Sequence, residues 1–433
     1  MKKEFLPICF ILITLAFQSC LFEEDLIFDK SAAERLNKAI IDDTDSLQSA
    51  NNGWVMEYFA TPESPGYTLL IKFNKSGESV VAGKNELTEN ILVTDTCHYE
   101  MIGDTGPVLT FNSYSKVLHA FSEPDDSGLG LQGDFEFVVI KTTADQIVLR
   151  GKKRGTTILL RKLPAGQGWQ EYFVLLENMN TTLFGQTNPT LKLSVDNIDS
   201  FRLSNGISHI FNLVRKGGDV IADVKEKPFI VTDYGLRFAD PINIGELALQ
   251  TFKLSADKNE LICTDSGVNA KINAMPPTDI FSNIINARKF MILNNSDNNM
   301  SEAIKTAYAS INTIVVSKTR KLEYIGFTNN KDWGTSLSVY TSKGTSKIEG
   351  FLGFSITRLT DSDARLKFNG FTGKYDTNGK TYYDTYSVSG LVSLLEGDYT
   401  LTVQGNGSVF SASTIRFTSK TNANKWFDLF LKN

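Results

Sequence analysis

The chain has 433 residues, of which 41% are hydrophobic and 21% charged, and this composition excludes a chain that is disordered throughout. Its net charge of −5 is spread along the sequence, so a basic surface of the kind that binds nucleic acid is not expected. The length predicts two or three domains, and the 29 phenylalanines and 14 tyrosines favour β structure.

Residues 1–19 are predicted to be an export signal. A positive start (MKK) precedes an apolar run, Phe5 to Phe17, that is too short to span a bilayer comfortably. Ser19 directly before Cys20 resembles a bacterial lipobox, in which the cysteine is acylated and becomes the mature N-terminus. Lipid on Cys20 would hold the protein on a membrane without spanning it. The alternative is a plain secretory signal with an incidental cysteine.

An acidic cluster, Glu23-Glu24-Asp25, follows within a tether predicted over residues 20–30. Such a cluster is similar to the surface-export signal of Bacteroidota lipoproteins. By that resemblance the protein is lipid-anchored in the outer membrane and faces the extracellular side.

The first folded domain is predicted over residues 31–165. Its helix, Ser31 to Leu47, begins with the capping box of Ser31 and Glu34, and Asn51-Asn52-Gly53 ends it. Short alternating strands with tight turns follow, which predicts a closed or half-closed, somewhat lipocalin-like barrel. The alternation in FEFVVI places Phe135 and Phe137 on one face.

Two further domains are predicted, over residues 166–275 and 276–433. Linkers at Pro164 to Gly168 and Asn273 to Thr278 separate them, and helices at Trp169 to Leu183 and Met300 to Ile314 precede more strands. The predicted fold is therefore mainly β with a minor helical part. Its antiparallel meanders form two to three barrel-like or sandwich-like units, each preceded by a short helix. Internal triplication is one hypothesis, and chance similarity of turn-rich segments is the other.

Two cysteines remain once Cys9 leaves with the signal and Cys20 is lipidated. Cys97 and Cys263 fall in different predicted domains. Two free buried thiols are therefore expected, and one inter-domain disulfide is the alternative.

Motifs of catalysis and metal binding are not found in the sequence, so no catalytic residue, metal ligand or cofactor is predicted. The mature histidines, His98, His119 and His209, belong to no known catalytic pattern. The acidic, glycine-rich stretch Ser122 to Asp134 has the residue types of a calcium site without EF-hand spacing, and a solvated loop is the preferred interpretation. Lys152-Lys153-Arg154 is interpreted as a solvated hairpin tip.

The candidate ligand-binding residues are aromatic. If Asn378-Gly379 is the turn of a hairpin, Tyr375 faces Tyr382, and with Tyr383 they form a platform that could stack on sugar rings. The alternative is a hairpin whose tyrosines pack on the sheet. Trp333 is the other candidate, as a loop tryptophan.

Several stretches resemble a known family. They are the lipobox, Asn51 to Trp54 with Tyr67 to Phe73, and above all GPVLTFNSYSKVLHAFSEPD, GDFEFVVI and VLRGKKRG within residues 106–155. They are similar to an uncharacterised lipoprotein family of Bacteroidota, domain of unknown function 4302. The similarity is strongest over residues 20–165, thinner at Pro228 to Phe238, and weak after residue 280.

The resemblance implies an accessory lipoprotein encoded near SusC/SusD-like nutrient importers, without an assigned activity. We therefore expect a non-enzymatic surface lipoprotein that binds a glycan, a peptide or transporter subunits for uptake. The alternatives are a secreted hydrolase whose carboxylates converge only in three dimensions, and a structural or adhesion module.

Overall fold

The computed structural model describes residues 30–184, 191–196, 199–204, 206–215, 225–293, 299–371, 376–404, 410 and 413–432. The predicted export signal, Cys20 and all of the acidic tether except Lys30 lie outside these residues.

Three antiparallel sheets, each closed into an eight-stranded barrel, make up the fold. Within each barrel the strands follow one another in sequence order, and the first strand pairs with the last. The closing pairs include Trp54 with Lys162, Leu191 with Ala274, and Met291 with Leu431. The predicted mainly β fold of barrel-like units is confirmed. The three segments share one strand order, as the triplication hypothesis requires.

Most of the first barrel forms one compact unit with its helix, and the second and third barrels belong to another. Helix α1 (Ala32–Gln48) begins at the predicted capping box: the Ser31 hydroxyl accepts from the Glu34 amide at 3.3 Å, and the Glu34 carboxylate accepts from the Ser31 amide at 2.9 Å. The strands are β1 (Trp54–Phe59), β2 (Gly66–Phe73), β3 (Glu78–Gly83), β4 (Val93–Gly103), β5 (Pro107–Phe111), β6 (Glu136–Thr142), β7 (Gln146–Gly151) and β8 (Thr157–Lys162).

Alternating side chains fill the interior of this barrel. In β7, Ile147 and Leu149 are buried while Gln146 and Arg150 are exposed. The Tyr58 ring packs against two phenylalanines of the core, and its hydroxyl donates to the Asp134 carbonyl at 2.9 Å. Because side chains occupy this space, the candidate site lies among the loops and not, as in a lipocalin, inside the barrel.

The second barrel follows helix α2 (Trp169–Leu183), and five stacked or edge-packed phenylalanines run through its core. Phe410, which comes much later in the chain, is fully buried in this core. The strands are β9 (Leu191–Val195), β10 (Asp199–Ser204), β11 (Ile210–Arg215), β12 (Lys225–Val231), β13 (Gly235–Ile244), β14 (Leu247–Leu254), β15 (Glu260–Cys263) and β16 (Ala270–Ala274).

The third barrel carries four helices that bury apolar faces against its sheet. In chain order its elements are α3 (Pro277–Asn286), β17 (Met291–Leu293), α4 (Glu302–Ser317), β18 (Lys321–Asn330), β19 (Gly334–Lys343), β20 (Ser346–Arg358), β21 (Asp363–Gly370), α5 (Thr377–Thr385), α6 (Val388–Leu395), β22 (Gly397–Gln404), β23 (Thr414–Ser419) and β24 (Trp426–Leu431). Over the described ranges, no helix is long and apolar enough to cross a membrane.

Both remaining cysteines are free and buried, as expected. Burial raises the pKa of the Cys97 thiol, and it raises the pKa of the Cys263 thiol to about 11. Neither thiol is therefore poised for nucleophilic chemistry near neutral pH.

Candidate ligand-binding cleft

Two connections of the first barrel enclose a cleft of about 640 Å³. One is the long connection between β5 and β6, and the other is the turn between β7 and β8. Each follows an odd-numbered strand of an antiparallel meander, so both leave the same end of the barrel. The cleft is lined by residues between Ser122 and Phe135, by Glu136, and by Lys152, Lys153 and Arg154.

The wall formed by the β5–β6 connection has a fixed backbone conformation. Asp125 accepts hydrogen bonds from the amides of Ser127 at 2.8 Å and Leu129 at 3.3 Å, and it also accepts from the Ser127 hydroxyl. These bonds, the hydroxyl first, lower the pKa of Asp125 to about 2. Gly130 has φ +58°, and a Cβ there would lie 1.9 Å from the Glu123 carbonyl oxygen. Glycine is therefore required at this position.

Asp134 joins the two walls. This side chain is only 6% exposed, and its carboxylate accepts from the Arg154 amide at 2.7 Å. Gly151 permits the approach, because a Cβ there would lie 2.3 Å from the Asp134 carboxylate. Asp134 thus holds the β7–β8 turn against the β5–β6 connection.

Three cations and two carboxylates, Asp134 and Glu136, form the charged part of the lining. The Lys152 ammonium lies 3.2 Å from Asp104 and 3.4 Å from Glu136, and these carboxylates raise the pKa of Lys152. The Arg154 Nε donates to the Gln132 carbonyl at 3.0 Å, which orients its guanidinium. Over the part of the chain that the structure describes, the side chains of Lys153 and Arg154 have no carboxylate partner.

Phe135 supplies a ring surface to the cleft and is 39% exposed. The His119 ring lies behind it, with centroids 4.9 Å apart, and Tyr114 continues the stack at 5.6 Å. His119 Nδ1 accepts from the Ser115 amide at 3.0 Å, and burial lowers the pKa of His119. The histidine is therefore neutral at pH 7 and has a packing role.

The arrangement can bind a polar ligand that has one flat face. It offers an aromatic ring, exposed cations and the polar groups of a glycine-rich loop. Among the residues that the structure describes, no group of three or more acidic, histidine or cysteine side chains could hold a metal ion.

A family model, Domain of unknown function (DUF4302), matches residues 24–256, which is more than half of the chain. The chain belongs to the DUF4302 family. The matched range contains the whole first barrel with its cleft, and β9 to β14 of the second. The resemblance found in the sequence is thereby confirmed.

Other comparisons add little to the description of this DUF4302 protein. No curated protein matches it. A crystal structure of the beta subunit from DNA polymerase of Streptococcus pyogenes is similar over 90% of this chain and 96% of that chain, at 11% identity and a TM-score of 0.14. At that TM-score the similarity carries no argument about fold or function.

The aromatic hairpin predicted around Asn378-Gly379 is wrong for this DUF4302 protein, because the segment forms helix α5. The Asp376 carboxylate accepts from the Gly379 amide at 2.8 Å and so caps the helix, and Lys380 pairs with Asp384 one turn along. The Asn378-Gly379 pair is typical of a hairpin turn, but the N-cap at Asp376, two residues earlier, begins a helix instead.

The predicted aromatic residues consequently have separate environments. Tyr375 and Cys20 lie outside the described residues. Tyr382 is 3% exposed, and its hydroxyl is 2.6 Å from the Thr341 hydroxyl. Tyr383 stacks on Phe368 with centroids 5.2 Å apart. Trp333 lies in the β18–β19 turn and stacks on Phe351 at 5.0 Å.

The sequence predicts no ligand role for the residues that line the cleft. The sequence favours two separate solvated turns for the acidic loop and the basic cluster, and its alternation places Phe135 on one face with Phe137. The structure starts β6 at Glu136, so Phe137 is buried while Phe135 faces the cleft. The signal that could have revealed the cleft was the position of these two loops, which lie at the same end of the predicted meander.

Proposed function

We propose that this protein is a non-enzymatic glycan-binding lipoprotein, anchored through Cys20 in the outer membrane and exposed on the cell surface. It acts as an accessory of a SusC/SusD-like nutrient importer. The cleft of the first barrel carries the proposal. Its volume of about 640 Å³ falls within the range of roughly 300–1,000 Å³ of small-molecule sites.

The chemistry of the lining fits a sugar. The C–H groups on one face of a pyranose pack on an aromatic ring, which here is Phe135, and its hydroxyl groups need donors and acceptors around the rim. Gln132, the loop backbone and the charged residues supply those groups. The stack of His119 and Tyr114 behind Phe135 holds the ring in place before the ligand arrives.

Binding is favoured over hydrolysis because the carboxylates of the lining already have partners in the fold. Asp134 accepts from the Arg154 amide. Glu136 accepts from the Thr110 hydroxyl at 3.3 Å and pairs with Lys152. A glycosidase needs two carboxyl groups that face the substrate and exchange protons with it.

The location and partners in this proposal come from the sequence. Cys20 in its lipobox setting and the acidic Glu23-Glu24-Asp25 support a surface-exposed Bacteroidota lipoprotein. The family resemblance supports an association with SusC/SusD-like subunits. Copurification of these subunits with the detergent-extracted protein, identified by mass spectrometry, would test the association. Absence of palmitate labelling, with the protein free in the periplasm, would contradict the anchor.

Calorimetric titration of the detergent-solubilised protein with a panel of oligosaccharides tests the site. We expect Phe135→Ala to weaken binding about tenfold, the equivalent of about 1.4 kcal/mol. Trp333→Ala is the matched control, since it removes a loop aromatic of the third barrel. Loss of affinity in Trp333→Ala with none in Phe135→Ala would contradict the assignment of the cleft.

A further inference from the structure

We propose that the cleft selects glycans that carry a carboxylate, with Lys153 and Arg154 binding the anion beside a sugar ring that lies on Phe135. This inference rests on the proposed glycan-binding function and names the class of glycan.

Charge compensation within the cleft leads to this inference. The lining contains two carboxylates and three cations. Lys152 is paired with Glu136 and Asp104, and Asp134 is satisfied by a backbone amide. In the described structure this leaves Lys153 and Arg154 without an anionic partner, although both line the same cleft. Exposed cations that converge on a concave surface favour an anionic ligand.

Arg154 is held in a geometry suited to a carboxylate. Its Nε donates to the Gln132 carbonyl, while its backbone amide donates to Asp134. The guanidinium is half-buried and anchored at one edge, so its terminal amino groups remain to meet a carboxylate with two parallel hydrogen bonds. The exposed ammonium of the adjacent Lys153 adds a second positive charge.

Acidic residues around the mouth limit how much charge the ligand carries. Glu123 accepts from the Tyr114 hydroxyl at 2.6 Å, and Asp125 is held by its own loop. Asp126 is exposed in the same loop. None of the three lines the cleft, but their charges repel a densely sulfated chain. An isolated uronic acid in an otherwise neutral glycan satisfies both the cations and this rim.

The test compares three oligosaccharides of one backbone and linkage: a neutral chain, the same chain with a terminal glucuronate, and the same chain with a sulfate ester. Calorimetry on the detergent-solubilised full-length protein at low salt should show the glucuronate chain bound at least tenfold more tightly than the other two. In 0.5 M NaCl this preference should shrink, because salt screens the exposed cation.

Lys153→Gln is the decisive variant, since the exposed Lys153 side chain makes no hydrogen bond or ion pair with the described residues of the fold. It should remove most of the preference for the glucuronate chain, and its effect on the affinity for the neutral chain should be much smaller. Lys75→Gln, an exposed lysine in the β2–β3 turn, is the control and should change neither. Arg154→Gln should lower the affinity for the glucuronate chain more than Lys153→Gln does. Arg154→Lys should retain part of the affinity that Arg154→Gln loses.

The outcomes separate the two levels of the proposal. Equal binding of neutral and glucuronate chains, or an undiminished preference in Lys153→Gln, would overturn the carboxylate assignment while the glycan-binding function stands. Equal or tighter binding of the sulfated chain would show that the cleft binds anions in general, which would overturn the proposed selection of a carboxylate. Binding of none of the three chains would count against the proposed function itself.

Discussion

The first and third barrels have the same strand order but differ in what their loops and charges do. In the third barrel, helices α5 and α6 interrupt the meander between β21 and β22, and arginines on the sheet are paired: Arg365 with Asp398 at 2.6 Å and Arg416 with Asp428 at 2.7 Å. In the first barrel, Lys153 and Arg154 face a cleft without such partners over the described residues. The first barrel has a charge pair on its sheet as well, between Arg161 and the buried Glu57 at 3.0 Å, so the two barrels differ in the unpaired cations at the cleft.

The largest expected effect comes from breaking a buried pair of the third barrel. Asp428 is nearly buried and binds Arg416 through two hydrogen bonds, and the guanidinium also lies 4.0 Å from the Trp426 ring centroid. Asp428→Ala should destabilise the fold by about 3 kcal/mol, because it removes two charge-assisted hydrogen bonds that the nearly buried carboxylate accepts from Arg416.

The matched control is Asp398→Ala, whose partner Arg365 has a side chain that is 54% exposed. Its cost should be much smaller than that of Asp428→Ala, because both charges of this exposed pair stay hydrated when the partner is removed. Urea unfolding followed by tryptophan fluorescence measures both, and glycan affinity should not change in either. Equal losses in the two variants would show that burial does not distinguish these pairs.

Glycine substitutions distinguish the cleft loop from an ordinary turn. Gly130→Ala should cost about 2 kcal/mol, since both its positive φ and the Glu123 carbonyl oppose a side chain. Gly344→Ala in the third barrel has φ +55° with open space around it, so about 1 kcal/mol is expected. Only Gly130→Ala should weaken glycan binding. Wild-type affinity in a folded Gly130→Ala protein would count against a ligand role for this loop.

Two buried tyrosines give a smaller and more closely matched comparison. Tyr58 donates to the Asp134 carbonyl in the first barrel, and Tyr399 donates to the Leu394 carbonyl in the third, each at 2.9 Å. Replacing either with phenylalanine leaves a carbonyl without its donor and should cost about 1 kcal/mol. Calorimetry should show weaker binding in Tyr58→Phe alone. The comparison fails if both variants bind equally well.

The smallest expected effect is on the two thiols, which should behave alike although they lie in different barrels. Because burial raises the pKa of Cys263 to about 11, its thiolate fraction at pH 8 is on the order of one in a thousand. Alkylation at pH 8 should be slow for both cysteines in the native protein and fast in urea.

The fold favours the neutral thiol of Cys263. This preference contributes to stability fully below the pKa that the thiol has in the unfolded chain, and the contribution is lost as pH rises through the folded-state pKa of about 11. Peptide mapping after iodoacetamide labelling measures the rates. Rapid native labelling of either cysteine would contradict its buried position.

Features set by neighbouring residues could be predicted from the sequence. The capping box of Ser31 and Glu34 needs only a spacing of three residues, and the barrels follow from short alternating strands with tight turns. The hairpin at Asn378-Gly379 was predicted wrongly because the Asp376 cap and its contact with the Phe351 amide of β20, at 2.9 Å, favour a helix. That contact joins residues distant in sequence.

The cleft could be predicted only in part for the same reason. Its two halves meet because β6 pairs with β7 at Phe137 and Gly151, and the Lys152 amide then donates to the Glu136 carbonyl at 2.9 Å. The sequence predicts the FEFVVI strand and a hairpin tip at Lys152-Lys153-Arg154, so the pairing of neighbouring strands could have brought Glu136 beside Lys152. The exposure of Phe135 depended on where β6 begins, and alternation alone does not fix a strand end.

Hydrogen–deuterium exchange of the full-length protein, with and without the glucuronate oligosaccharide, tests the central claim most directly. The ligand should protect peptides covering residues 122–136 and 150–156 of the first barrel, with the peptides over Trp333 and residues 376–386 of the third unchanged. Protection of the third-barrel peptides, with none in the first, would contradict the assignment of ligand binding to the cleft.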